Sequence, residues 1–208
     1  MASRRRSRRG AGLFAVYAAA SLVPVCVLGA VLVHGYQDEG QRRALDQVVR
    51  AVRPLADALV ADPLRGNVLR GTWLGHALHP LLTDVPIGFW TSAVTLDLVG
   101  GPAARPSATR LVGLGVLAAV PTAVTWWAEW AGTGQREQRV GVVHAVSNVT
   151  ALALFAGSWL ARRRGDHARG TALGLVASGA LGAGGYLGGH LATARKVGSR
   201  HPAFAADA

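Results

Sequence analysis

The chain has 208 residues, half of them hydrophobic and only 16% charged, with a formal net charge of +11 and a single cysteine. A soluble domain of this length could not bury so much apolar surface, so the composition is that of a membrane protein. Cys26 has no partner, which excludes disulfides, cysteine-based zinc sites and iron–sulfur clusters held by this chain alone; the arginines cluster between apolar runs, as topology requires and a nucleic-acid stripe does not.

Residues 1–10 form a basic arm, and 11–34 an apolar run broken only by Pro24. At 1.5 Å per residue that run is long enough to cross a bilayer. It is long for the core of a secretory signal and no small-x-small cleavage site follows, so residues 1–40 read as an arm and a retained anchor helix with a cytoplasmic amino terminus. Residues 41–75 form an amphipathic juxtamembrane segment, with Leu45, Val48, Val52, Leu55 and Leu59 at the spacing of one helical face and Pro54 expected to break or bend it. The simplest reading is an amphipathic spacer; a membrane-surface helix or a dimer contact is the functional alternative.

Four further spans are predicted at 80–100, 109–130, 140–161 and 170–192, making a four-helix transmembrane bundle over 76–195 and a tail over 196–208. The fold class is therefore an all-α membrane protein. Gly100-Gly101-Pro102 stops the first of these spans, and Trp126, Trp127 and Trp130 end the second as an interfacial aromatic cluster. Gly170, Gly174, Gly184, Gly185, Gly188 and Gly189 let the last helix approach its neighbours closely. Four arginines in the loop at 162–169 and two in that at 101–110 assign both to the cytoplasm, and five crossings then put the carboxyl terminus outside.

On this topology His76, His79, His144 and His190, from three helices, share one level near the outer face. Ionisable groups at the edge of a span are costly unless paired, wetted or ligating. Imidazoles from facing helices suit haem iron, zinc or copper. A b-type haem is the leading expectation, with His144 and His190 as axial pair, His79 as substitute or propionate partner, and His76 beyond direct ligation. A metal ion on His79, His144 and His190 is the alternative cofactor, and the contrasting reading is a non-catalytic structural or interaction membrane protein with no cofactor, its histidines serving as interfacial caps or a pH-responsive contact. Asp84, Asn148 and Glu129 lie at the same level and are candidates to orient the imidazoles. Asp97 belongs to the opposite end, as a cap or packing group. No nucleophile with a base, phosphate loop or paired catalytic acids is visible, so an electron-transfer or binding component is expected rather than a substrate-transforming enzyme.

Four ordered motifs carry a resemblance: Trp73-Leu-Gly-His76-Ala-Leu-His79-Pro80, Asp84-Val-Pro-Ile-Gly88, Arg139-Val-Gly-Val-Val-His144-Ala-Val-Ser-Asn148 and Tyr186-Leu-Gly-Gly-His190-Leu191. Together, over roughly residues 46–203, the chain resembles the DUF2231 family of bacterial membrane proteins. Some members are joined to a Rieske-type iron–sulfur domain, so the resemblance implies a redox setting in the bacterial plasma membrane and a separate Rieske-type or other redox partner. A homo-oligomer is compatible with it. Where the family has Thr-Gly-x-x-Asp-Trp, this chain has Thr125-Trp126-Trp127-Ala128-Glu129-Trp130, a longer acid and a tryptophan in the glycine's place. The first 45 residues resemble instead the membrane anchors of bacterial sensory proteins with diguanylate cyclase or phosphodiesterase outputs.

Overall fold

The computed structural model describes residues 39–198, so the expected anchor over 11–34 lies outside the described residues. Within them the chain is all-helical: α1 (Glu39–Val60), α2 (Pro63–Arg70), α3 (Leu78–Val99), α4 (Arg105–Ala131), α5 (Gln135–Arg163) and α6 (His167–Gly189), the last running into a π turn over His190–Ala194. Two antiparallel hairpins, α3 with α4 and α5 with α6, are joined through α4 against α5 and, more lightly, α3 against α6. Their shared core stacks the Trp90 ring on Phe155 at 4.3 Å between Ala93, Val112 and Ala177.

Three stretches, Pro102–Ala131, Gln135–Arg163 and His167–Ala194, are long and apolar enough to cross a membrane. The expected fourth, α3, falls short of that apolarity, because His79, Asp84 and Asp97 interrupt its 22 residues. Leu114, Leu117 and Val120 on α4, Val146, Val149 and Leu160 on α5 and Val176 on α6 are exposed. An apolar exterior of this kind is satisfied by lipid.

The α1 helix continues through Pro54, which the sequence reading expected to break or bend it. Proline removes the hydrogen bond to the Arg50 carbonyl, but Arg50 and Pro54 are both exposed, so water can take the freed acceptor. Its buried side is also one register away from the face expected: Val49 and Ala56, flanked by Leu45 and Val52, pack on Trp126, Trp130, Val140 and Leu191, whereas Val48 and Leu55 are exposed. Three-four spacing fits both stripes. The Arg139 guanidinium, which donates to the two Asp46 oxygens at 2.7 and 2.8 Å, fixes which one turns inward.

Arg162, counted from sequence as a cytoplasmic loop arginine, lies in the last turn of α5 and is buried. It donates to Asp97 of α3 and to the Ser158 hydroxyl, which in turn donates to the Gly170 carbonyl of α6. Asp97 is thus the anchor of an ionic clamp between three helices, and the positive charge of that connection rests on Arg163, Arg164 and Arg169.

Candidate functional site

Pro86 sits inside α3 and has no N–H to give the Leu82 carbonyl. The Thr122 hydroxyl of α4 lies 3.1 Å from that oxygen and shares its single proton between it and the Ala118 carbonyl of its own helix at 2.9 Å. The same residue's carbonyl accepts from His79 Nδ1 at 3.0 Å. A carbonyl can only accept, so Nδ1 carries the proton and Nε2 keeps a lone pair. Thr83, 3.5 Å from that Nε2, spends its own proton on the His79 carbonyl at 2.8 Å.

His144 lies about two and a half turns into α5. Its Nδ1 donates to the Gly184 carbonyl of α6 at 2.9 Å, which again leaves Nε2 as a lone-pair donor. A side chain at Gly184 would run into Asn148, and one at Gly188 would come within 3.0 Å of the imidazole, so these two glycines are what let α6 lie this close. The Asn148 amide nitrogen is 3.1 and 3.3 Å from the two ring nitrogens while donating to the His144 carbonyl at 3.0 Å. Near-equal distances put it over the ring, away from the in-plane lone pair of Nε2.

The two imidazoles, from α3 and α5, have centroids 6.3 Å apart and planes nearly perpendicular. Trp126 touches both, at 5.2 Å from His79 and 4.6 Å from His144. They border a cavity of about 330 Å³ to which α3, α4, α5 and α6 all contribute. Its wall is mostly apolar, and of the residues singled out from sequence it includes His79, His144, Asp84, Asn148 and Glu129. Few convergent polar groups in an apolar concavity are the mark of a small-ligand or cofactor site.

His190 and His76 do not join them. His190 is two residues past Gly188, about 200° further round the helix axis, and its Nε2 accepts from Arg195 at 3.3 Å outside the cavity wall. His144 therefore lies beside His79 and not beside the expected axial partner His190, because spacing along the chain does not give direction around the helix axis. His76 precedes α3, is exposed, and its ring nitrogen lies 2.8 Å from the Ala77 carbonyl.

This chemistry is narrower than expected. Among the described residues no three His, Cys, Asp or Glu side chains are grouped to hold a metal ion, so a three- or four-ligand zinc site is not formed. A porphyrin centred between His79 and His144 meets a different obstacle. Trp126 is nearer to each ring than they are to one another, so it flanks their midpoint where the macrocycle would extend.

A family model described as "Predicted membrane protein (DUF2231)" matches residues 75–201. The chain belongs to the DUF2231 family. The match begins just before α3, so α1 and α2 lie outside it, whereas the whole cavity wall lies within the DUF2231 region. No curated protein and no solved structure matches the chain.

A second, more polar cavity of about 730 Å³ adjoins the first, and the two share Glu129, Val197 and Gly198 in their walls. Arg70, Glu137, Arg195 and Lys196 line it, with Glu137 and Arg195 paired at 3.5 Å. Sequence reasoning missed Thr122 and Trp126 as parts of the site, whereas the close approach that Gly184 and Gly188 allow was expected of the glycines in the last span. Pro86 was the available signal for Thr122, since a proline inside a helix demands an outside donor for the carbonyl it orphans.

Proposed function

We propose that this DUF2231 protein is a redox component of the bacterial plasma membrane that holds one copper ion between His79 and His144. Four crossings, α3 to α6, follow the putting of both arginine-rich connections in the cytoplasm, and the site then lies toward the outer face. Electrons pass to or from a separate one-electron carrier there, a Rieske-type protein being the partner the family association suggests.

The observation that carries the reading is the matched pair of imidazoles. Each gives its Nδ1 proton to a backbone carbonyl of another helix, the outer-sphere bond that commonly orients a ligating histidine. Two metal–nitrogen bonds of about 2 Å on opposite sides of one ion would separate the ring centroids by roughly 6 Å, against 6.3 Å here. Copper tops the affinity order for imidazole sites and, as the cuprous ion, accepts two-fold ligation. The Trp126 ring beside the pair adds a polarisable neighbour for a cation.

The test is metal analysis and an absorption spectrum of the detergent-purified protein with and without dithionite. Near-stoichiometric copper that disappears in His144→Ala supports the reading. A reduced haem α-band would return the site to b-type haem with Trp126 displaced, and a colourless, metal-free preparation would leave a structural membrane protein whose histidines serve packing.

A further inference from the structure

Trp126 carries a buried indole N–H that has no acceptor among the described residues, in a side chain only 6% exposed and set in the cavity wall. Native proteins seldom leave such a donor unpaired, because it forfeits its bond to water without replacement. The wall also holds acceptors, the Nε2 atoms of His79 and His144 and the carboxylates of Asp84 and Glu129, beside the Asn148 amide donor, and Asp84 has no partner among the described residues. A copper ion on the two Nε2 atoms would still leave the indole N–H and the Asp84 carboxylate unanswered. A hydroxyl answers both, since it accepts from one side and donates to the other.

The route in is equally specific. Pro80 and Asp84 on α3 and Gly185 and Gly189 on α6 are exposed residues of the cavity wall on two helices that meet lightly, and a side chain added at either glycine would meet nothing within 4 Å. This opening lies among the apolar exteriors of the bundle and gives a molecule dissolved in the hydrocarbon a way in, separate from the polar cavity that meets the site at Glu129, Val197 and Gly198. The volume of about 330 Å³ is about twice that of an engineered 150 Å³ cavity in another protein that takes benzene, and the Trp90, Trp126 and Trp127 rings give it aromatic walls.

We propose that the cavity binds a neutral, membrane-dissolved hydroxyaromatic molecule of the hydroquinone class, which enters between α3 and α6 and sets a hydroxyl between Trp126 Nε1 and the Asp84 carboxylate. The choice of a hydroquinone among hydroxyaromatics rests on the redox reading of the site; the hydroxyl and the lipid-side entry do not.

Equilibrium dialysis of tetramethylhydroquinone against the detergent-purified protein under argon tests it, with the dimethyl ether of the same ring as comparison. The hydroquinone should bind about tenfold or more tighter than the ether, as one or two buried hydrogen bonds require. Trp126→Phe should erase most of that difference. G185L/G189L should lose binding of the hydroquinone while its helicity and metal content stay as in the wild type. Equal binding of the hydroquinone and its ether, wild-type binding by G185L/G189L, or preferential uptake of tetraphenylphosphonium would each overturn the proposal. Metal content is read on the same samples: a metal-free protein that still selects the hydroquinone and needs the glycines refutes the copper site alone, and a copper-loaded one that ignores the hydroquinone refutes this inference alone.

Discussion

Arg162 of α5 holds both carboxylate oxygens of Asp97 of α3, at 2.8 and 2.5 Å, with both side chains almost fully withdrawn from the surface. Removing one partner leaves a buried charge without compensation, at a cost of about 3–5 kcal/mol. Arg162→Ala and Asp97→Ala should each lower the thermal midpoint in detergent sharply. The double exchange to apolar residues of similar size should recover most of the loss; a double variant as unstable as either single one contradicts a clamp whose cost is the orphaned charge.

Thr122→Val removes the donor that answers the Leu82 carbonyl and should cost about 1–3 kcal/mol. Pro86→Ala restores an N–H to the same carbonyl from within α3, so the double variant should be more stable than Thr122→Val alone. Chemical denaturation of the four proteins measures the coupling. Strict additivity would show that Thr122 is not compensating for the proline.

The Arg139 guanidinium hydrogen-bonded to Asp46 holds this carboxyl below the ordinary carboxylate range. A group whose folded-state value is depressed contributes stability above its unfolded value, near 3.9 for Asp, and loses it as pH falls through the folded value. The difference in thermal midpoint between the wild type and Asp46→Asn should therefore be constant above about pH 5 and shrink below about pH 4. A difference that grows on acidification contradicts the ion pair as the tie between α1 and α5.

Copper titration of single variants separates the histidines. His79→Ala and His144→Ala should each weaken binding by more than about 100-fold, since even outer partners of a metal ligand are worth about 10–100-fold. His190→Ala should bind as the wild type does, because its ring nitrogen is engaged with Arg195 outside the cavity. Gly188→Ala, whose new methyl would press on the His144 ring at 3.0 Å, should weaken binding, and Gly185→Ala should not. Loss of copper in His190→Ala with retention in His79→Ala would reinstate the His144–His190 pair.

The apolar runs and their order were legible in the sequence, as was the DUF2231 membership that the family match bears out. The ends of the helices were less so: α5 runs from Gln135 to Arg163, starting well before the predicted span over 140–161 and ending just past it, because its polar ends form helix that hydropathy does not record. Asp97 was recognised as a packing group at the far end, but its partner was counted among loop charges.

Hydropathy and residue spacing are properties along one axis, and they were enough to decide that this is a helical membrane protein. Rotation of a helix about its axis, and which neighbour's carbonyl meets which ring nitrogen, depend on contacts between segments far apart in the chain. Only the packed structure therefore decided that His79 and His144 converge, that His190 turns away to Arg195, and that Arg162 serves Asp97 inside the bundle rather than the charge of a loop.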